Sequence, residues 1–151
     1  MYEKILVPVD GSSTSQRGLD EAIRLAKLCG GTIKVVHVVN ELIMEAGYLP
    51  VTNYGEIVEG LREGGSKILK TAETRVRAQG VACATELIET IGGQAASTIL
   101  DQCRSWGADL IVMGTHGRRG IRRLALGSDA EVVLRHAPVP ILLVREAPEK
   151  S

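Results

Sequence analysis

The amino-acid sequence lacks several features on which whole classes of function depend. It has no phenylalanine and only 3% aromatic residues, so it has little material for the stacking platforms that bind single-stranded nucleic acid. Its 18 basic and 18 acidic residues give a formal charge of zero, which removes the general attraction to nucleic acids and to anionic membranes. We therefore expect no nucleic-acid partner, and any anion site must be local.

Long apolar segments and paired cysteines are also missing. The sequence has no run of about 18 apolar residues and no apolar core of a signal peptide near its N-terminus. Cys29, Cys83 and Cys103 lie far apart and match no zinc-binding spacing, so we predict buried free thiols in a reducing compartment. The expectation is a cytoplasmic protein without a membrane partner and without a resident metal. Its length suits one domain, taken as 1–146, with a C-terminal tail at 147–151.

What the sequence does contain is an alternation of apolar runs with longer segments of helical period, which is typical of β-α-β units. Four of the five predicted strands are almost continuously apolar and suit a parallel sheet that is covered on both faces. The third is more polar and is expected at an edge. The predicted strands are residues 4–9, 32–39, 82–89, 109–114 and 139–144.

Four helices are predicted between these strands. Two of them begin at a capping box, and glycine or proline marks the end of three. Gly64 and Gly65 weaken the middle of the second helix by about 1 kcal/mol each relative to alanine. The first is predicted from Ser13, with Gln16, to Gly30, the second over 56–79, the third over 94–106, and the fourth from Ser128, with Glu131, to the residues before Pro138.

Right-handed crossovers and helices on both faces predict an α/β fold with a doubly wound, five-stranded parallel sheet in the order 3-2-1-4-5. In such a sheet the ligand crevice lies beyond the carboxyl ends of strands 1 and 4, where the winding direction reverses. One long irregular segment, about 40–55, leaves strand 2 at this end and is either a lid or disordered. The residues that follow strands 1 and 4 are therefore the candidates for function.

The segment after strand 4 carries the strongest chemical signal. Glycines at 114 and 117 let the backbone approach a ligand without a Cβ in the way, so that amide N–H groups can face a phosphate. Gly127 and Ser128 open the fourth helix, whose first N–H groups and positive dipole end form a second anion cradle. The hydroxyl of Ser128 either caps this helix or contacts phosphate directly. Two cradles at one crevice indicate a polyphosphate ligand.

Two common nucleotide motifs are absent from the whole sequence. It contains no G-x-G, which excludes the dinucleotide fingerprint, and no Gly-Lys-Ser/Thr, which excludes a Walker A loop. The basic residues of the loop form the only dense basic cluster of the sequence, which is either solvated or places at least one of its members on phosphate; they are Arg118, Arg119, Arg122 and Arg123.

The spacing G-x2-G-x9-G-[ST] ends at Ser128 and, with the opening KILVPVDGS and the ending HAPVPILLV, resembles the ATP-binding branch of the universal stress protein family. The likeness covers essentially the whole chain. It implies a Rossmann-like fold of the adenine nucleotide alpha hydrolase type and a single nucleotide-binding domain. It also implies a homodimer and a bound ATP with little intrinsic turnover.

The resemblance further implies a set of nucleotide-binding residues. Pro8, Val9 and Asp10 would flank the nucleotide, with the Asp10 carboxylate accepting from ribose hydroxyls. Val38 would meet the adenine ring through its backbone, and Met113 would lie near the sugar and base. The phosphates would be lined by Gly114, His116, Gly117, Arg118, Gly127 and Ser128.

Two residues depart from the family pattern. Asp129 stands where such proteins often have a small apolar residue; its carboxylate suits the helix dipole but repels phosphate unless it is turned away or bridged by Mg²⁺. Gln94 stands where a proline commonly follows glycine, at the start of the third helix.

Strand 5 is predicted to be an edge strand, and an apolar edge from Ile141 to Val144 invites pairing with a second copy of the chain. Pro138 and Pro140 limit that pairing to its later part. A two-fold homodimer through this strand is also what the resemblance implies.

Three functional hypotheses follow. The first is a nucleotide-binding regulatory protein of the stress response, in which ATP orders the 40–55 segment and so alters a surface that partners contact. The second is a slow ATPase or self-phosphorylating enzyme that uses His116 or Asp129 to position water or metal. The third is a dimeric interaction protein with an empty crevice. No general base is paired with a nucleophile in a recognisable spacing, which favours the first.

Overall fold

The computed structural model describes residues 1–40, 54–116 and 126–146, and there the chain forms a five-stranded parallel sheet with helices on both faces. The segments 41–53 and 117–125 and the tail 147–151 lie outside the described residues. The strands are β1 (Lys4–Pro8), β2 (Thr32–Asn40), β3 (Cys83–Thr90), β4 (Leu110–Gly114) and β5 (Ile141–Val144). The helices are α1 (Ser13–Cys29), α2 (Tyr54–Ala78), α3 (Ala95–Trp106) and α4 (Ser128–His136).

The strand order β3-β2-β1-β4-β5 confirms the predicted doubly wound topology. β1 pairs with β2 along its whole length and with β4 through Ile5 and Leu6, all in parallel. The chain therefore winds to one side of β1 through β2 and β3 and to the other side through β4 and β5. The carboxyl ends of β1 and β4 flank the point of reversal, which is where this topology places a ligand.

Alternating side chains of the central strands enter two separate cores, as expected for a sheet covered on both faces. From β1, Ile5 and Val7 pack with α1 and α2, while Leu6 packs with α3 and α4. β4 divides in the same way, with Val112 in the first core and Ile111 in the second. The central strands are thus rigid supports for the loops at their carboxyl ends.

The two edge strands differ in what they expose. β3 carries three exposed polar or small side chains, in agreement with its prediction as a polar edge. β5 pairs with β4 and lies at the opposite edge. Its Leu142 side chain is 39% exposed, which is a large exposure for a leucine in an apolar strand.

Both predicted capping boxes are wrong in their register. The N-cap of α1 is Ser12, whose Oγ accepts the N–H of Ser15 at 3.2 Å, so Ser13 is the first helical residue. The N-cap of α4 is Gly127, which has no side chain with which to cap. Ser128 is therefore not the N-cap of α4, and a contact of its hydroxyl with a ligand stays a prediction. The predicted end of α1 is confirmed, since Gly30 adopts the left-handed conformation with φ of 73°.

Gly65 in the middle of α2 has a packing role that offsets its low helix propensity. A Cβ at this position would lie 2.7 Å from Cδ2 of His37 and 2.7 Å from Cδ1 of Leu87. The helix therefore approaches β2 and β3 more closely than a larger residue would allow. A Cβ at Gly64 would meet nothing within 4 Å, so only one of the two glycines is required by packing.

The three cysteines are free thiols, as predicted, although they are not all buried. Cys83 and Cys103 are buried, whereas Cys29 is half-buried. Burial raises the pKa of Cys83 to about 11 and also raises the pKa of Cys103. Over the described ranges, no helix combines the length and the apolar character needed to cross a membrane.

Candidate functional site

The turn after β1 is built around Asp10. Its Oδ1 accepts the main-chain N–H of Ser12 at 2.9 Å, and its own N–H lies 3.4 Å from Oγ of Ser15. The chain reverses through Gly11, which has φ of 82°. The Asp10 carboxylate is therefore held against the head of α1 and engaged in the turn, and its contact with ribose stays a prediction.

Val9 is tied to β2 by its main chain. Its N–H donates to the carbonyl of Val36 at 2.9 Å, and its carbonyl lies 2.7 Å from Nδ1 of His37. Because a carbonyl only accepts, Nδ1 of this histidine carries the hydrogen. His37 thus fixes the end of β1 next to the half-buried Pro8.

Val38 and Met113 lie on opposite sides of the reversal point. β1 ends at Pro8, which pairs with Val36, so Val38 lies two residues beyond the last paired position of β1. Met113 is buried in the core beneath α3 and α4, next to the end of β4. The predicted contacts of Val38 with the base and of Met113 with the sugar and base stay predictions.

Gly114 ends β4 under the first turn of α1. A Cβ here would lie 2.8 Å from Cγ2 of Thr14 and 3.1 Å from its carbonyl carbon. Thr14 is itself buried. The glycine is therefore required by helix packing, independently of the phosphate contact predicted for it.

The loop that follows β4 has its two ends joined. The N–H of Gly127 donates to the carbonyl of Thr115 at 2.7 Å, and the N–H of Thr115 donates to Val144 at 3.0 Å. A Cβ at Gly127 would lie 3.1 Å from Cα of His116. The head of α4 and the end of β4 therefore meet, as the two predicted anion cradles require. Gly117, Arg118 and the other loop arginines lie outside the described residues.

The carboxylate of Asp129 is directed at a neighbouring helix. Its Oδ1 accepts the main-chain N–H of Ala96, in the first turn of α3, at 3.3 Å. The N-cap of α3 is Gln94, whose side chain makes no capping hydrogen bond, so Asp129 supplies an acceptor from α4 instead. The sequence left two alternatives for this carboxylate, turned away from phosphate or bridged to it by Mg²⁺. The contact with Ala96 agrees with the first.

Sequence reasoning missed Glu146, which follows β5. Its Oε1 accepts from Oγ of Ser13 at 3.1 Å, and its Oε2 lies 3.8 Å from Nε2 of His116. His116 is largely buried, and its Nδ1 lies 3.1 Å from Oγ1 of Thr115. The signal that could have found Glu146 is topological, since the carboxyl end of β5 lies beside that of β4.

The described residues hold no group of three or more His, Cys, Asp or Glu side chains placed to bind a metal ion. The chemistry that the site offers is instead that of main-chain amides at helix heads. The first N–H groups of an α-helix have no partner within it and attract anions. Two such heads, those of α1 and α4, flank the end of β4.

Comparisons of the sequence and of the structure with known proteins identify the same family. A sequence model of the universal stress protein family matches residues 1–145. Universal stress protein MJ0531 of Methanocaldococcus jannaschii is 36% identical over 152 residues, which cover 100% of this chain and 86% of that protein.

Solved structures agree. A member of the universal stress protein family from Burkholderia pseudomallei superposes with a TM-score of 0.78 at 34% identity, covering 96% of this chain and 97% of the other. The universal stress protein from Archaeoglobus fulgidus in complex with dAMP superposes with a TM-score of 0.67 at 26% identity, covering 95% and 98%. The chain therefore belongs to the universal stress protein family.

Proposed function

We propose that this protein binds an adenine nucleotide, in the first place ATP, in the crevice beyond β1 and β4, and acts in the cytoplasm as a nucleotide-dependent regulatory protein of the stress response. The observation that carries the proposal is the 2.7 Å hydrogen bond from Gly127 to Thr115, which holds the head of α4 against the end of β4. The dAMP complex of the A. fulgidus protein supports an adenine nucleotide.

The phosphates are assigned to main-chain amides. The head of α4 offers the N–H groups of Ser128 and Asp129, and the loop offers those around Gly117. Hydrogen bonds to a charged oxygen contribute about 1.5 to 3 kcal/mol each, so a few are enough for micromolar affinity after the ordering cost is subtracted. His116 lies at the same end and can donate a hydrogen bond to phosphate. Arg118 follows it closely in the sequence as a further candidate phosphate ligand, and Mg²⁺ would enter with the nucleotide.

The protein is proposed to be a binder with little or no turnover. The two side chains considered for catalysis have other partners, since His116 faces Thr115 and Glu146 while Asp129 accepts from Ala96. A single-turnover experiment with labelled ATP tests this point. A rate no faster than that of free ATP is expected, and a clearly faster rate would establish an enzyme.

The binding itself is tested in two ways. Mass spectrometry of the small molecule retained through purification should detect an adenine nucleotide without a prior assumption about the ligand. Calorimetry should then show that Gly117→Val abolishes ATP binding while the thermal transition stays within a few degrees, because a side chain would block the approach of phosphate. Gly60→Ala is the matched control, since a Cβ at Gly60 meets nothing within 4 Å. Unchanged affinity in Gly117→Val would contradict the proposal.

We also propose that the protein is a homodimer paired through β5. The strand lies at the sheet edge and exposes Leu142, and its partner on the inner side is β4. An apolar edge of this kind is a template for pairing with another chain. A two-fold axis would place the same strand of two copies side by side.

A further inference from the structure

Glu146 stands at the corner where three elements of the proposed nucleotide site meet. Its carboxylate accepts a hydrogen bond from Ser13, the first residue of α1, at 3.1 Å and lies 3.8 Å from the imidazole of His116. His116 in turn lies against Gly127 at the head of α4. A negatively charged group of the protein thus occupies a place that suits an anion.

The groups around Glu146 would serve a phosphate oxygen equally well. The first turn of a helix attracts negative charge, the hydroxyl of Ser13 donates, and an imidazole can donate or carry positive charge. Two anions that compete for these donors also repel each other directly. A phosphate that reaches this corner must therefore displace the carboxylate or bind beside it at a cost in free energy.

We propose that Glu146 is a specificity-determining residue of the nucleotide site. Its carboxylate competes with the distal phosphates of a bound nucleotide for the corner between Ser13 and His116, and so lowers the preference for a triphosphate over a monophosphate. This inference depends on the function proposed above. In the proposed binding mode the nucleoside end would lie toward β1 and β2, so that added phosphates would bring more negative charge toward Glu146.

Two other carboxylates close to the crevice are less suited to such a role. Asp10 accepts a main-chain N–H from Ser12 at 2.9 Å, and Asp129 accepts one from Ala96 at 3.3 Å. Both are therefore occupied by the backbone of a helix start. Glu146 is held by two side chains and is 53% exposed, so it can swing into solvent and the expected effect is moderate.

The test compares ATP and AMP affinities by calorimetry in the wild type and in Glu146→Gln, which keeps the shape and removes the charge. The variant should bind ATP about threefold more tightly, as expected for one exposed charge pair, with a much smaller change for AMP. The gain should shrink at high salt, because exposed charges are screened. Glu21→Gln is the matched control, since Glu21 lies on α1, the helix that begins at Ser13, but pairs with Arg24; it should change neither affinity.

Several results would overturn this role. Equal gains for ATP and AMP, or no gain at all, would show that Glu146 does not sense the phosphate tail. A loss of ATP affinity confined to solutions with Mg²⁺ would assign the carboxylate to the metal instead. Failure of the wild type and both variants to bind either nucleotide would overturn the proposed function together with this inference, whereas binding with an unchanged ATP to AMP ratio overturns the inference alone.

Discussion

The main-chain N–H of Gly127 donates to the carbonyl of Thr115 across the mouth of the glycine-rich loop, at 2.7 Å. The bond joins Thr115, which directly follows β4, to the N-cap of α4. Since the loop itself begins and ends at these residues, its ends are fixed whatever its own conformation. This contact is the structural basis for placing both proposed anion cradles in one crevice.

The first prediction concerns this contact. Gly127→Ala would place a Cβ 3.2 Å from the carbonyl oxygen of Thr115 and 3.1 Å from Cα of His116, both main-chain atoms that move only together with the loop ends. We expect ATP affinity to fall about tenfold, the equivalent of one hydrogen bond to a charged oxygen. Calorimetry measures the affinity, and Gly60→Ala serves as the control. Unchanged affinity would show that phosphate does not bind between the two loop ends.

The second prediction concerns Asp129. Asp129→Ala removes the acceptor for the N–H of Ala96, and we expect the free energy of unfolding to fall by about 1 kcal/mol, as on loss of an N-cap. Asp129→Asn keeps an acceptor oxygen and should lose less. Urea unfolding of both variants measures the difference. Equal stability of wild type and Asp129→Ala would mean that the contact does not support α3.

The same variants report on the phosphate site. Because the carboxylate lies against α3, its removal should tighten ATP binding only slightly, about twofold, and to the same extent with and without Mg²⁺. The control is Glu131→Gln, which removes another negative charge from the first turn of α4. A loss of affinity that requires Mg²⁺ would instead place Asp129 on the metal.

The third prediction separates two adjacent glycines of α2. Gly64→Ala meets open space and should raise the free energy of unfolding by about 0.5 to 1 kcal/mol, since alanine restricts the unfolded chain and favours helix. Gly65→Ala would place its methyl group 2.7 Å from His37 and Leu87. This substitution should lower the free energy of unfolding by about 1 to 3 kcal/mol. Thermal unfolding of the pair provides the measurement. A Gly65→Ala protein as stable as wild type would refute the packing role.

The fourth prediction concerns the sheet edge. Leu142→Lys places a charge on β5 and should convert the proposed dimer to a monomer in sedimentation velocity, because the ammonium would be desolvated at the interface. Leu28→Lys is the control, since Leu28 near the end of α1 is 85% exposed and is not part of the apolar edge strand. A wild type that stays monomeric at every concentration, or a Leu142→Lys protein that stays dimeric, would contradict the strand-5 interface.

The sequence by itself determined the order of the elements and the location of the crevice. Continuous apolar runs separated by helical segments leave few alternatives to a parallel sheet, and right-handed crossovers then order the strands. The polar character of β3 and the apolar run from Ile141 to Val144 were sufficient to assign both edges. Each of these signals is a local pattern of apolar and polar residues, so it can be recognised without knowing which distant residues are in contact.

The tertiary structure alone decided which side chains meet at the crevice. The cap of α1 is an exception, because Ser12 rather than Ser13 is chosen by a local contact, the hydrogen bond from the N–H of Ser12 to the Asp10 carboxylate two residues before it. Asp129 faces Ala96, 33 residues away in the sequence, and Glu146 reaches Ser13 across 133 residues. Such contacts depend on how whole helices and strands are placed against one another, and periodicity and spacing carry no information about that placement.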